Sequence, residues 1–163
     1  MSSCEWGKND ADVNLFCDAC SFRLGFWFPA GNIGFQHALA PGMASPGIFF
    51  HEAWTIISAL VWAVHNTPLR PGLRIALYSN SSNMVDMFNM LCAQPAYNPL
   101  ALTAVNIALD FHIEFHVFHI PGEDNIVSDA LSHFCFDTLA TFAPLLHILQ
   151  FEPPQLALGA APS

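Results

Sequence analysis

The sequence predicts an α/β protein with a mixed five-stranded sheet flanked by helices. Three observations carry this. Three short β-rich segments joined by tight turns precede residue 40, a long helical repeat follows, and strand-like and helix-like segments then alternate. Hairpin-linked strands followed by helix-separated strands imply a sheet with both antiparallel and parallel pairs.

Residues 1–12 are polar and read as a loose segment. Residues 13–19 form a strand, with Val13, Leu15 and Cys17 on one face and Phe16 on the other. Residues 22–29, with the run Leu24-Gly25-Phe26-Trp27-Phe28, form a second. Gly31-Asn32 supplies a hairpin turn into a third strand at 33–39. A Pro, Gly and Ser loop covers 41–47. Apolar positions 53, 56, 57, 60, 61 and 64 line one face of a helix over 50–65, which Pro68, Pro71 and Gly72 end. A strand at 73–79, helices at 84–92 and 100–111 separated by Pro95 and Pro99, and a strand at 113–120 stopped by Pro121-Gly122 follow. A last helix covers 125–136, and 138–163 reads as a Pro-rich tail, an extended linker from Ala143 onward. The folded domain is therefore expected at 13–137.

Composition narrows the function. Of 163 residues, 53% are hydrophobic, with 15 Phe and 4 Trp, which suits a real core rather than disorder. Only 10% are charged, a thin solvated surface that predicts poor solubility. The apolar run 53–64 is too short to span a bilayer and contains Thr55 and Ser58, so a buried helix is expected and no membrane partner. Met1-Ser2-Ser3-Cys4-Glu5 opens without a basic segment and apolar run, so no secretion signal is expected. Five cysteines, at 4, 17, 20, 92 and 135, make no even framework and read as free intracellular thiols. Cys17-x-x-Cys20 lacks the second pair that would complete a metal site. Four basic residues against 13 acids give a net charge of −9, which argues against a free-standing nucleic-acid binder.

Three acids stand at element ends: Asp18 late in the first strand, Glu52 in the first turn of the long helix, and Asp129 in the last helix after Pro-Gly-x-x-Asn. Carboxylates so placed can converge at one sheet edge and hold divalent cations. Two such ions about 4 Å apart activate a water and stabilise the departing oxygen of a phosphodiester. Spacing alone does not set these three apart from solvated surface acids, and Glu52 also suits a helix first turn by dipole alone.

Four segments carry a resemblance. Leu15-Phe16-Cys17-Asp18-Ala19-Cys20-Ser21, Glu52-Ala53, Leu77-Tyr78-Ser79-Asn80-Ser81-Ser82-Asn83 and His119-Ile120-Pro121-Gly122-Glu123-Asp124-Asn125-Ile126-Val127-Ser128-Asp129-Ala130-Leu131-Ser132-His133 resemble the motifs of retrotransposon ribonuclease H domains. The closing motif is the most specific. The segment 88–100 and Phe151-Glu152-Pro153-Pro154 look like reverse transcriptases of basidiomycete-type fungal elements. The resemblance covers residues 13–137 and implies a ribonuclease H-like fold with strand order 3-2-1-4-5. It implies catalytic positions at Asp18, Glu52, Asn80 and Asp129, with Asp18, Glu52 and Asp129 holding Mg²⁺ or Mn²⁺, and a role in product release for His119. It also implies an RNA–DNA hybrid as substrate and, in intact relatives, a polymerase domain as partner. No Tyr-x-Asp-Asp-type polymerase motif is present, so the chain reads as a fragment or a separated domain.

The chain departs from that pattern. Asn80 stands where the third catalytic Asp belongs, and a neutral amide oxygen replaces a charged carboxylate. Metal binding should be weakened and activity impaired. His133 replaces the usual Arg, Cys20 stands where Pro or Ser is common, and basic residues are few, all of which suit a decaying copy. Asp86 lies on a helix six positions on and reads as a surface acid rather than a substitute. His112, Glu114 and His116 alternate on one strand, as a metal site or as a polar strand face. Two functions compete: a nuclease cutting the RNA strand of hybrids, and a catalytically dead remnant acting only as a structural or interaction module. A binding protein of unrelated ancestry is the third.

Overall fold

The computed structural model describes residues 6–40, 47–90 and 98–155. Its strands are β1 (Val13–Ala19), β2 (Arg23–Phe28), β3 (Ile33–Ala38), β4 (Leu73–Ser79), β5 (Ile113–His119) and β6 (His147–Gln150). Its α-helices are α1 (Ile48–Asn66), α2 (Ser82–Met90), α3 (Asn98–Phe111), α4 (Ile126–His133) and α5 (Phe136–Phe142). The sheet runs β5-β4-β1-β2-β3-β6. β2 is antiparallel to β1 and β3, while the β1–β4, β4–β5 and β3–β6 pairs are parallel. The expected order 3-2-1-4-5 is present, with a sixth strand added beside β3.

That sixth strand corrects two expectations, the five-strand count and the extended linker after Ala143. Residues 147–150 pair with Ile33–Gln36, and Phe151 packs among Phe26, Phe35 and His37. Trp54 Nε1 then donates to the Pro154 carbonyl at 2.9 Å. Aromatic burial and edge pairing override the local proline content. Much of the loose N-terminal segment is likewise ordered: Trp6 is buried against Ala76, Tyr78 and Phe118, and Asp12 meets Arg70 at 2.6 Å and the Arg74 N–H at 2.9 Å. Residues 1–5, the expected loop at 41–46, residues 91–97 and the expected tail from 156 to 163 lie outside the described residues.

The last expected helix, 125–136, is two. Phe134 takes a left-handed conformation (φ 58°), and the Cys135 N–H reaches back to the Ala130 carbonyl at 2.9 Å, closing α4. The Arg23 guanidinium stacks 3.6 Å over the Phe134 ring. α1 is longer than its apolar run and, by length and composition alone, long enough to cross a bilayer; 61% of that stretch is buried in the fold, as in a core helix.

The core has two layers about the sheet. Leu15, Cys17, Phe26, Ile75 and Leu77 pack against Ile56, Ile57 and Leu60 of α1 and Met84 and Leu100 of α2 and α3. On the other face Val127 and Leu131 of α4 pack with Leu139 of α5 and Trp27. Close approach of α4 depends on Gly25: a Cβ there would lie 3.0 Å from both Leu131 Cβ and the Ser132 backbone nitrogen. Gly25 pairs with Asp18 across the β1–β2 ladder, so the bare strand position lies beside the first acid.

Candidate active site

The site forms where β1 and β4 end. Alternation along β1 sends Leu15 and Cys17 into the α1 core and Asp18 to the α4 side. α4 is fastened to this strand end by three contacts. Asn125 Nδ2 donates to the Cys17 carbonyl at 3.0 Å, Ser132 Oγ donates to Asp18 Oδ2 at 2.8 Å, and Cys20 Sγ donates to the Ser132 carbonyl at 3.2 Å. Ser128 in turn donates to Asn125 Oδ1. The Asn and Ser of the closing motif thus hold the helix in place, and Asp129 on its exposed side is brought to Asp18.

Ligand atoms of Asp18, Asp129 and His133 all lie within 4.8 Å of one another. Asp18 is buried, whereas the Asp129 and His133 side chains are half exposed. Glu52 comes from the second turn of α1 rather than the expected first, because the helix begins at Ile48 ahead of its apolar run, and the neighbouring His51 is buried. Glu52 and Asp18 are close enough for the Asp18 charge to perturb Glu52. The β1–β4 register ends at Phe16↔Tyr78; continued by two residues, it sets Asn80 beside Asp18. Asn80 Nδ2 also lies 3.5 Å from where a Gly122 Cβ would stand, against the Pro-Gly turn. His119 pairs with Ser79 at the exposed end of β5, one residue from Asn80. Asp18 and Asp129 are therefore brought together with His133, while Glu52 lies outside that cluster but near enough for the Asp18 charge to act on it, and His119 pairs with the residue before Asn80.

Burial, the charge of Asp129 and a hydrogen bond with it push the Asp18 carboxyl from 3.8 up to about 6, against the opposing Ser132 hydroxyl. Burial, then the Asp18 charge, pushes Glu52 from 4.5 up to about 7. Both folded values exceed the unfolded ones, so folding takes up protons. The stability these groups confer is full below about pH 4 and is lost as pH rises through about 6 and 7. In chelator, the chain is expected to melt lower at pH 8 than at pH 5. Asp18→Asn is expected to raise stability at pH 8 by roughly 1–2 kcal/mol. Thermal melts at both pH values check this, and an Asp18→Asn protein less stable than the parent at pH 8 would count against a repulsive carboxylate cluster.

The donor set fits a divalent cation. Two carboxylates held close against their own repulsion, open to solvent through Asp129, are what a hard cation relieves. Other sequence candidates separate from this place. Cys17 is buried with its thiol pushed far up by burial and the Asp18 charge, and Cys20 faces Ser132, so the C-x-x-C pair is two separate thiols. Glu114 pairs with Arg74 at 3.7 Å, His116 stacks on Phe118, and His112 lies outside β5 at φ 56°, so that set gathers no ligands. Asp86 is exposed on α2. His133, read from sequence only as a lost Arg, lies at the site; its i, i+4 spacing from Asp129 on one helix was the available signal.

No family model matches the sequence, and no curated protein matches it. Solved structures do. The RNase H1 of the halophilic archaeon Halobacterium salinarum NRC-1 superposes with a TM-score of 0.60 at 15% identity, over 77% of this chain and 97% of that one. LC11-RNase H1, solved in complex with an RNA/DNA hybrid, gives 0.57 at 16%, over 74% and 93%. The N-terminal RNase H domain of a Mycobacterium tuberculosis protein, solved as a fusion with maltose-binding protein, gives 0.55 at 16%, over 80% and 98%. Together with the sheet order, these matches show that the chain has the ribonuclease H-like fold.

Proposed function

We propose that this chain is the ribonuclease H domain of a retroelement reverse transcriptase, of basidiomycete-type fungal origin, whose ancestral reaction is hydrolysis of the RNA strand in RNA–DNA hybrids. The observation that carries the reading is the meeting of Asp18 and Asp129 at the end of β1 on this fold, with Glu52 near enough for the Asp18 charge to raise its carboxyl. The hybrid bound in one solved neighbour supports the substrate class. Asp18, Glu52 and Asp129 would hold Mg²⁺ or Mn²⁺. Bound there, the ions supply Lewis-acid activation of a water and charge for the departing oxygen.

The chain's own residues set the conditions for this. Ser132 orients one oxygen of the Asp18 carboxylate by its 2.8 Å bond. Asp129 brings the second carboxylate from α4, and Glu52 the third from α1. With a pKa of about 7, Glu52 gains and loses a proton near neutrality, so occupancy of the site should rise with pH. His119, exposed at the end of β5, would assist product release. Asn80 presents only a neutral oxygen at the fourth position, which is why the activity is read as impaired.

The basic residues give the substrate little grip. Arg70 and Arg74 are paired with Asp12 and Glu114, Arg23 stacks on Phe134, and Lys8 lies 6.0 Å from the Tyr78 and Phe118 ring centroids. Asn80 and this lack of free cations favour the second reading, a catalytically silent remnant kept as a structural or interaction module. An intracellular location goes with either and suits the free Cys17, Cys20 and Cys135. A labelled RNA–DNA hybrid incubated with the chain in Mg²⁺ and in Mn²⁺ separates the two. The proposal expects slow, metal-dependent scission of the RNA strand that Asp129→Asn removes; no scission by a folded chain in either metal leaves the remnant reading.

A further inference from the structure

The residue that departs from the resembled pattern nearest the acids is His133. It lies one helical turn beyond Asp129 on α4, so its ring sits over that carboxylate. Its Nδ1 is 3.4 Å from Asp129 Oδ1 and 3.0 Å from Ser132 Oγ, the hydroxyl that donates to Asp18. It is also 3.0 Å from the Asp129 backbone carbonyl. The ring is about half exposed. The usual Arg of the resembled motif carries a fixed positive charge and no lone pair, so it neutralises carboxylates but cannot bind a metal. An imidazole in the same place is a donor.

We propose that His133 joins Asp18 and Asp129 in a two-carboxylate, one-imidazole site that selects a borderline first-row divalent ion (Mn²⁺, Co²⁺ or Zn²⁺) over Mg²⁺. This rests on the reading of Asp18 and Asp129 as metal ligands. The chemistry follows from donor type. Mg²⁺ demands oxygen ligands and sheds water reluctantly, whereas imidazole nitrogen suits the later ions. With the imidazole proton on Nε2, the Nδ1 lone pair is available to an ion shared with Asp129, whose Oδ1 lies 3.4 Å away, and the 3.0 Å contact to the backbone carbonyl is given up. The change from Arg also removes a cation that would repel an incoming ion. A site with no carboxylate at Asn80 thus gains a nitrogen donor at His133.

The test uses the full chain, stripped of metal, titrated separately with Co²⁺ and Mg²⁺ by calorimetry, with the visible absorption of Co²⁺ as a second readout. Co²⁺ is expected to bind at least about tenfold more tightly than Mg²⁺. His133→Ala and His133→Arg should each weaken Co²⁺ about 10–100-fold and alter its spectrum, while Mg²⁺ affinity in His133→Ala stays within about threefold and circular dichroism is unchanged. Asp129→Asn should weaken both ions. If Co²⁺ affinity and spectrum are indifferent to His133 while Asp129→Asn still abolishes Mg²⁺ binding, this proposal fails and the carboxylate site stands. If Asp129→Asn changes neither ion's binding, the metal reading itself fails, and this proposal with it. Both readouts are of binding, so a chain that cleaves nothing still separates these outcomes.

Discussion

Restoring the carboxylate by Asn80→Asp is expected to raise Mg²⁺-dependent scission of an RNA–DNA hybrid at least about 10–100-fold over the parent. Losing a residue that merely hydrogen-bonds to a ligand already costs about that much, and on the proposed function Asn80 stands at a ligand position itself. The β1–β4 ladder ends at Phe16↔Tyr78 and residue 80 follows directly after β4, exposed, so a new carboxylate there need not be buried. A negative charge beside a divalent ion is worth far more than a neutral oxygen, because the ion is the largest charge in the site. Single-turnover rates on a labelled hybrid measure the gain, and Asp129→Asn in the revertant should return it to background. A parent that cleaves as fast as the revertant would show that Asn80 is no defect. Two folded proteins that both fail would shift the fault to substrate grip, where four basic residues face a polyanion.

Gly25→Val should cost roughly 1–3 kcal/mol or more and loosen divalent-ion binding at the same time. The new Cβ meets backbone, at 3.0 Å from the Ser132 nitrogen and 3.2 Å from the Leu131 carbonyl carbon, and helix backbone cannot turn aside. α4 must lift from the sheet, and Ser132 and Asp129 lift with it away from Asp18. Gly34→Ala is the contrasting case. Its Cβ meets the methyl tips of Leu131 and Leu146, also at 3.0 Å, and these can rotate, so both effects should be smaller. Urea unfolding and metal titration of both variants check the pair. Equal losses of stability, or a Gly25→Val protein with unchanged metal affinity, would mean that α4 does not set the site.

The parts of this molecule legible in its sequence were those written in local periodicity. The two-residue alternation of β1, the 3.6-residue face of α1 and the Pro-Gly turn before α4 each appear where their patterns put them. What escaped depends on contacts between distant segments. β6 lies between Pro144 and Pro153, and only the open edge of β3 and the pocket for Phe151 make it a strand. The break between α4 and α5 rests on an aromatic residue in a left-handed conformation, which no propensity anticipates. At the site, the meeting of Asp18 and Asp129 was expected from the motif resemblance and not from spacing, and Glu52 lies outside their cluster. His133 carried a readable signal, its position one turn after Asp129, which the comparison with an expected Arg obscured.

β6 has a bearing on solubility as well as on form. A chain ending at residue 137 would leave Ile33 to Gln36 with one row of backbone N–H and C=O groups facing water, on a strand that is mostly buried and carries no Lys, Asp or Glu. A flat, hydrophobic edge of that kind is a template for a neighbouring copy to add its own strand. In a protein with only 10% charged residues, little else would keep copies apart. The prolines that made the tail look like a spacer sit on either side of the four residues that occupy this edge. By filling it from within the same chain, the tail acts as a guard against edge-to-edge aggregation.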